Sequence, residues 1–385
     1  MAEGRSRATW AEVDLSAVRH NVGVLCRLVA PADLCAVVKA DGYGHGAAAV
    51  ARAALDGGAS MVAVALGDEG EELRRAGIRA PVLVLSEQPA ASAPAVVAAG
   101  LTPTLYTLGG VAAMAAAAEA AGTVVPVHVK VDTGMHRVGA DPAAVPAVVA
   151  AVAAAPSLRL EGLFTHLAVA DGPSDEDAEY TALQLDRFDA VTAALAGQGV
   201  GVTLRHAANS AGAIAWARSR YDMVRCGIAV YGQPPSPSLA HLAGDLRPVL
   251  SLRSRVSAVR VLDAGERPSY GRVRPLPERS VVATVPIGYA DGLARRLQPA
   301  GGEVLIGGRR RPLAGTVTMD QIVVDCGPDD PVRPGDEVVL LGRQGDAEVT
   351  AAEWAQRLGT ITYEVLCGIG PRVPRVIVDP ERGRS

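Results

Sequence analysis

Residues 126–133 read Pro-Val-His-Val-Lys-Val-Asp-Thr, residues 143–155 read Ala-Ala-Val-Pro-Ala-Val-Val-Ala-Ala-Val-Ala-Ala-Ala, and residues 160–167 read Leu-Glu-Gly-Leu-Phe-Thr-His-Leu. A short β-branched run, an alanine-rich stretch of high helix propensity and a second apolar run make one β/α unit. The pattern recurs from residue 34 to residue 232, with strand segments at 34–39, 61–66, 81–86, 102–107, 126–133, 160–167, 204–209 and 223–231. Most of these are near-continuously apolar rather than alternating, as parallel strands covered on both faces are. Eight such units over roughly 200 residues predict a compact (β/α)8 barrel of the TIM type. The alanine tracts at 111–121 and 143–155 fall where barrel helices are due and read as packed helices.

Downstream, Gln233-Pro-Pro-Ser-Pro-Ser238 breaks the pattern, because prolines at that density deny both helix and central strand. It predicts a boundary between a barrel at 9–238 and a mostly-β domain at 239–380. Segment 249–262 alternates apolar with polar residues, further short strands are expected at 281–286, 303–306, 321–325 and 337–341, and one helix at 351–358. The polar ends, 1–6 and 381–385, are expected to fray. Two domains suit a chain of 385 residues.

Composition narrows the partners. A net charge of −4 provides no basic face for nucleic acid and no basic amphipathic helix for a membrane, so a small molecule is favoured. With no run of eighteen apolar residues and no signal-peptide pattern, a cytoplasmic location is expected. Cys26, Cys35, Cys226, Cys326 and Cys367 lack paired spacing and read as reduced thiols. The seven histidines include no H-E-x-x-H, and no metal is assigned.

Of 37 basic residues only Lys39 and Lys130 are lysine. A biased genome accounts for the missing surface lysines but not for why these two remain. A primary amine with a movable pKa forms Schiff bases and takes up carbon dioxide as a carbamate, which a guanidinium does not. On the predicted barrel Lys39 closes the first strand, Arg137 follows the fifth, His166 closes the sixth, Asn209-Ser210 closes the seventh, and Arg225 and Gly227 lie on and after the start of the eighth. All but Arg225 fall at the C-terminal rim, where barrel enzymes place their chemistry. An amine for an aldehyde, small residues with backbone N–H groups for a phosphate and a positive group beside a ring are what pyridoxal phosphate requires.

Val-Val-Lys-Ala-Asp-Gly-Tyr-Gly-His-Gly at 37–46 resembles the cofactor-lysine motif of the alanine racemases. The resemblance runs from about residue 9 to about residue 378 and takes in Lys-Val-Asp-Thr-Gly-Met-His-Arg at 130–137, Phe-Thr-His-Leu at 164–167, Asn-Ser at 209–210 and Met-Val-Arg-Cys-Gly-Ile at 223–228. In the β half it continues through Ser-Tyr-Gly-Arg at 269–272, Gly-Tyr-Ala-Asp-Gly at 288–292, Thr-Met-Asp-Gln at 318–321 and Ile-Thr-Tyr-Glu at 361–364.

The resemblance implies interconversion of L- and D-alanine, with pyridoxal 5'-phosphate as cofactor and D-alanine supplied to cell-wall peptidoglycan. It implies that Lys39 holds the cofactor as a Schiff base and moves the proton on the D-alanine face, and that Tyr270 serves the L-alanine face. Two bases on opposite sides of one carbon are the minimum needed to invert it without carrying a proton around. The resemblance further assigns Arg225 to the pyridine nitrogen with His206 bonded behind it and His166 alongside. Arg137 and Met319 go to the substrate carboxylate, Tyr289 and Tyr363 to the entrance, and Tyr43, Ser210, Gly227, Ile228 and Tyr363 to the phosphate. Lys130 takes the place of a lysine that many relatives carry as a carbamate. A homodimer with shared sites is also implied, Tyr270 and Met319 acting in trans.

These residues admit other readings. Gly42-x-Gly44-x-x-Ala47 mimics a dinucleotide fingerprint, but nothing later in the chain supports a nicotinamide enzyme. A related decarboxylase places a carboxylate where this chain has Arg225, and a non-catalytic pyridoxal-binding protein lacks the β domain; a serine racemase stays open. One departure from the family pattern is Thr316, where many relatives have arginine.

Overall fold

The computed structural model describes residues 8–380. The ends expected to fray, 1–6 and 381–385, lie outside the described residues. Two compact units emerge among the described residues, one built from Ser16–Gly42 with Gly46–Arg247, the other from residues 8–15, Tyr43–His45 and residues 248–380.

The chain opens with β1 (Trp10–Asp14), a strand of the second unit, and the helix Leu15–Val29. Eight strands then make the first unit: β2 (Asp33–Val37), β3 (Met61–Val64), β4 (Val82–Val84), β5 (Thr102–Leu105), β6 (Val125–Lys130), β7 (Leu158–Phe164), β8 (Leu204–His206) and β9 (Met223–Cys226). They pair in the order β8-β7-β6-β5-β4-β3-β2-β9, every ladder parallel. The ring is closed between β8 and β9 by backbone bonds from Asp222 N–H to the Arg205 carbonyl and from Arg225 N–H to the Ala208 carbonyl, each 3.0 Å. The Asp222 carboxylate reinforces that seam by accepting from the Arg205 backbone at 2.8 Å and from its Nε at 2.9 Å. This is the (β/α)8 barrel expected from the sequence.

The apolar runs explain the ring. Val62, Ala63 and Val64 on β3 and Val82, Leu83 and Val84 on β4 are fully buried, and each buried valine or leucine contributes about 1.5–3 kcal/mol. The strands end earlier than the apolar runs suggested, because the last residues of each run leave the ladder to build the rim. The alanine tracts are helical, at Leu108–Ala120 and Val145–Ala154. No regular helix follows β9; the helix Leu15–Val29 docks there instead. Its buried Asn21 donates to the Val230 carbonyl at 3.0 Å and exchanges two bonds with the Arg247 backbone, at 2.8 and 2.7 Å.

Between β2 and the helix Ala47–Asp56 the chain makes a turn, Lys39–Gly44, wound against the usual hand. Ala40, Asp41, Gly42, Tyr43 and Gly44 all have positive φ, from 51° to 79°. The turn is held by Gly42 N–H to the Val38 carbonyl at 2.8 Å, Ala40 N–H to Glu69 Oε1 at 2.6 Å and Ala47 N–H to Asp41 Oδ1 at 2.8 Å.

The second unit is mostly β. Its strands are β1 with β10 (Leu250–Arg255), β11 (Ala258–Leu262), β12 (Ser280–Val285), β13 (Glu303–Ile306), β14 (Arg309–Pro312), β15 (Ile322–Gly327), β16 (Glu337–Gln344), β17 (Ala347–Val349) and β18 (Arg375–Val378), with a helix at Ala351–Leu358. One sheet runs β14-β13-β16-β10-β1-β18 with β17 on β16, and a second runs β11-β12-β15. Three sequence expectations are corrected. Segment 249–262 is not one strand, since its halves join different sheets. Residues 10–14, placed with the barrel, pair antiparallel with β10 and parallel with β18. The boundary falls at Arg247/Pro248 rather than after the prolines, because Asn21 holds Arg247 to the first unit.

Among the described residues, no helix is long and apolar enough to cross a membrane.

Candidate active site

Arg225 is the centre of the barrel's polar interior. It sits on β9 and is 3 % exposed, yet no carboxylate lies within ion-pair distance of it among the described residues. Its guanidinium is held by neutral acceptors. Nη1 donates to His206 Nδ1 at 2.8 Å and to the His206 carbonyl at 3.2 Å. Nη2 donates to the carbonyls of Thr165 at 2.8 Å and Ala207 at 3.0 Å, and faces His166 Nδ1 at 3.2 Å. The Phe164 ring lies 5.0 Å beneath the guanidinium and stacks on His206. Both terminal nitrogens are thus occupied, and the Nε–H has no acceptor among the described residues. It suits an external acceptor that need not be protonated, since a guanidinium keeps its proton.

A second cation shares this space. Lys130 ends β6, is 5 % exposed and lies with its Nζ 5.7 Å from the Phe164 centroid. Burial first, then Arg225 and Arg137, push its pKa down to about 8, with Lys39 a smaller contributor. His166 and His206 are held well below the ordinary imidazole range, by burial foremost and then by Arg225. Both rings are therefore neutral at physiological pH. Burial also lowers Arg225, to about 10, which leaves it charged. Lys39, Lys130, Arg137 and Arg225 form one positive field, which stabilises anions and amines that have shed a proton.

The rim loops are braced from the helix Asp175–Gly197. Arg137 lies in the loop after β6, where Asp132 Oδ1 accepts from the backbones of Gly134 and His136, each at 3.0 Å. Tyr180 Oη donates to the Gly134 carbonyl at 2.6 Å and Arg187 Nη1 to the Thr133 carbonyl at 2.9 Å. The fully buried Gln184 joins this loop to the next: Nε2 donates to Thr133 Oγ1 at 3.3 Å and to the His166 carbonyl at 3.1 Å, while Oε1 accepts from Ala168 N–H at 2.8 Å. After β8, Asn209 caps the turn Ser210–Ala215. The Ser210 hydroxyl accepts from the backbones of Gly227 at 3.0 Å and Ala229 at 3.4 Å, which draws the start of the loop after β9, including Ile228, around one hydroxyl.

The remaining expected residues belong to the second unit. Tyr43 is buried with its ring 6.1 Å from that of Tyr363. Tyr270, Tyr289 and Met319 are exposed, at 74 %, 43 % and 51 %. Tyr289 and Met319 lie on touching segments: Tyr289 N–H donates to the Thr318 carbonyl at 3.0 Å and Ala290 N–H to that of Met319 at 3.1 Å. A side chain at Gly288 would come within 2.3 Å of both carbonyls. Thr316, the departure from the family pattern, has a structural task. Its hydroxyl donates to the Tyr270 carbonyl at 2.9 Å, and Ser269 Oγ donates back to the Thr316 carbonyl at 2.6 Å.

A family model described as the alanine racemase N-terminal domain matches residues 13–235, and one described as the alanine racemase C-terminal domain matches residues 249–377. The chain belongs to the alanine racemase family. It is 49 % identical over 369 residues to the alanine racemase of Symbiobacterium thermophilum, covering 96 % of this chain and 97 % of that one. Identity to the alanine racemase of Desulfovibrio desulfuricans is 42 %, over 97 % and 99 % of the two chains. Among solved structures, the alanine racemase of D-cycloserine-producing Streptomyces lavendulae superposes with a TM-score of 0.91 at 37 % identity, over 99 % of both chains. The histidine racemase of Leuconostoc mesenteroides superposes with 0.89 at 28 %, over 98 % and 99 %. As an alanine racemase family member the chain is an isomerase.

Within this racemase family barrel, the sequence reading missed His128, Glu161 and Gln184. His128 Nδ1 lies 2.9 Å from His206 Nε2. The usable signal was strand periodicity, since His128 and Lys130 are two apart on β6 and share a face. Gln184 carried no signal, because nothing in a helix sequence marks which polar residue turns inward.

Proposed function

We propose that the chain interconverts L- and D-alanine using pyridoxal 5'-phosphate. In this reading it works in the cytoplasm as a homodimer with shared sites, and supplies D-alanine for bacterial cell-wall peptidoglycan. The observation that carries the reading is the buried Arg225, held only by neutral acceptors, in one positive field with the chain's two lysines. A carboxylate in that place would accept a hydrogen bond from, and so stabilise, a protonated pyridine nitrogen; a guanidinium, which can only donate, favours the unprotonated form. Bound there, pyridoxal phosphate supplies an electron sink that stabilises negative charge at the α-carbon.

The protein's own groups do the rest. Lys39 Nζ would hold the cofactor aldehyde and, once displaced by the substrate amine, would move the α-proton on the D-alanine face as a free amine, while Tyr270 of the partner subunit would move it on the L-alanine face. The phenol needs positive charge beside it to act as a base; Arg225 is assigned to supply it, with the neutral His166 ring alongside. Arg225 and its support His206 restrain reprotonation at the wrong carbon by keeping the ring a weak sink. Arg137 and the Met319 backbone N–H hold the substrate carboxylate. Tyr43, Ser210, Gly227, Ile228 and Tyr363 hold the phosphate, and Tyr289 and Tyr363 narrow the entrance. Lys130, with a pKa of about 8, has an appreciable free-amine fraction near neutrality and takes up carbon dioxide as a carbamate that orients Arg137. The exposure of Tyr270, Tyr289 and Met319 on the second unit supports their use by a partner subunit.

The test is direct. Purified protein is expected to show a visible absorption band that borohydride traps and Lys39→Ala abolishes, and to racemise both alanine enantiomers faster than serine or histidine. Serine or histidine turned over faster than alanine would overturn the substrate; a band that persists in Lys39→Ala would overturn the lysine assignment.

A further inference from the structure

The Arg225 guanidinium does not end at His206. His206 Nε2 lies 2.9 Å from His128 Nδ1, and His128 Nε2 lies 3.5 Å from Glu161 Oε2. Glu161 Oε1 accepts from Arg159 Nη2 at 2.8 Å. His128 and His206 are fully buried, and Glu161 and Arg159 are partly exposed. From the partly exposed Glu161 inward to Arg225, the chain is carboxylate, imidazole, imidazole, guanidinium.

The protons on this chain have one consistent arrangement. Arg225 Nη1 can only donate, so His206 Nδ1 must be the bare nitrogen and the His206 proton sits on Nε2. That N–H needs an acceptor, so His128 Nδ1 is bare as well and the His128 proton sits on Nε2, facing Glu161. We propose that Glu161, acting through His128 and His206, is a positioning residue for Arg225: it ends a directional relay that fixes both imidazole tautomers and supplies the buried guanidinium with its nearest through-bond negative charge.

Burial, the largest influence on both rings, keeps them neutral, as the relay needs. The approach of His128 first, against some desolvation, and then Arg159 pull Glu161 down to about 2, so its carboxylate is ionised at neutral pH. At 3.5 Å the His128 to Glu161 step is the longest of the three, and there an ion–dipole attraction does more than a tight hydrogen bond. The inference rests on the reading of Arg225 as the residue facing the cofactor ring, but its first test does not.

That first test is magic-angle-spinning NMR on holoenzyme labelled with 15N-histidine. The chain has only seven histidines, so the His128 and His206 signals can be assigned from single variants. Both rings are expected as neutral tautomers protonated at Nε2; a proton at Nδ1 of either ring, or a doubly protonated ring, overturns the relay. The second test separates the relay from packing. In His128→Gln the amide oxygen can accept from His206 and the amide nitrogen can donate to Glu161, whereas His128→Leu fills the space and leaves the His206 N–H without an acceptor. The glutamine variant is expected to stay within about threefold of wild-type kcat and the leucine variant to fall by more than about tenfold, with the KM for alanine little changed in either. Glu161→Gln, at the solvent end, is expected to move the His206 ring signal and to lower kcat about threefold. Equal kcat in the leucine and glutamine variants, or a His206 signal unmoved in Glu161→Gln, would overturn the proposal. A normal tautomer pattern in an enzyme inactive toward alanine would instead count against the proposed function alone.

Discussion

Lys130→Met tests the electrostatics of the barrel interior. Methionine matches the lysine stem in length and packs on Phe164 without charge. A lysine that moves from its ordinary 10.5 to about 8 on folding carries a folded-state penalty of about 3 kcal/mol while protonated. Below about pH 8 both the folded and the unfolded chain hold the proton, and the penalty is fully present. Between about 8 and 10.5 the folded chain has shed the proton while the unfolded chain keeps it, so wild-type stability rises with pH and the penalty is relieved. The methionine variant is therefore expected to be more stable than wild type by about 2–3 kcal/mol at pH 7, or about 2–4 °C in Tm for a chain of 385 residues. The advantage should fade by pH 10. Cofactor-saturated protein in carbonate-free buffer should be unfolded with guanidinium chloride, because urea releases cyanate, which carbamylates lysine. Adding bicarbonate should stabilise wild type alone, since a carbamate at Lys130 becomes an anion facing Arg137 and Arg225. Equal stabilities at pH 7, or a difference that does not change between pH 7 and pH 10, would refute the reasoning.

Three further outcomes follow from the site. Lys39→Ala and Tyr270→Phe chains, refolded together, should recover about a quarter of wild-type activity if each site takes Lys39 from one subunit and Tyr270 from the other; no recovery with mixed dimers confirmed by mass would rule out sharing. Gln184→Leu should cost about 2–4 kcal/mol in chemical denaturation, because it strands the Ala168 N–H and the His166 carbonyl in the interior. Thr316→Val, which removes the donor to the Tyr270 carbonyl, should lower kcat about three- to tenfold and enlarge the α-deuterium isotope effect on L-alanine more than on D-alanine. Thr316→Ser should restore both, and an unaltered isotope effect in Thr316→Val would break the link to Tyr270.

What was legible in the sequence depended on periodicity. The eight barrel strands announced themselves as apolar runs between alanine-rich stretches, and their ends carried Lys39, Arg137, His166 and Ser210 to one rim. The errors lie where sequence distance hides spatial partnership. Residues 10–14 look like any strand before a helix, and only their pairing with residues 250–253 and 375–378 assigns them to the second unit. The strand Arg309–Pro312 escaped notice because three arginines and a proline give no apolar pattern; its register comes from pairing with Glu303–Ile306. Thr316 had no visible role from its neighbours in the chain, since its partner Tyr270 lies 46 residues away. His128 gave no signal of its own, because its partner His206 lies 78 residues away in the chain.

The turn that begins at Lys39 inverts the substitution scale that governs a right-handed helix. Each L-residue wound to the left costs roughly 1–2 kcal/mol, from the clash of its Cβ with the following carbonyl. Ala40, Asp41 and Tyr43 all bear that cost, with φ of 53°, 51° and 53°. Alanine, the best residue elsewhere in a helix, is a burden at position 40, and glycine, the poorest after proline, would be an improvement. Valine or isoleucine there meets a barrier that its exposed position does nothing to soften, because the obstruction is the residue's own backbone. At the five positions 40–44, substitutions are expected to be tolerated best by glycine, asparagine and aspartate, so the lysine stands at the head of a segment whose permitted alphabet is set by handedness rather than by its neighbours.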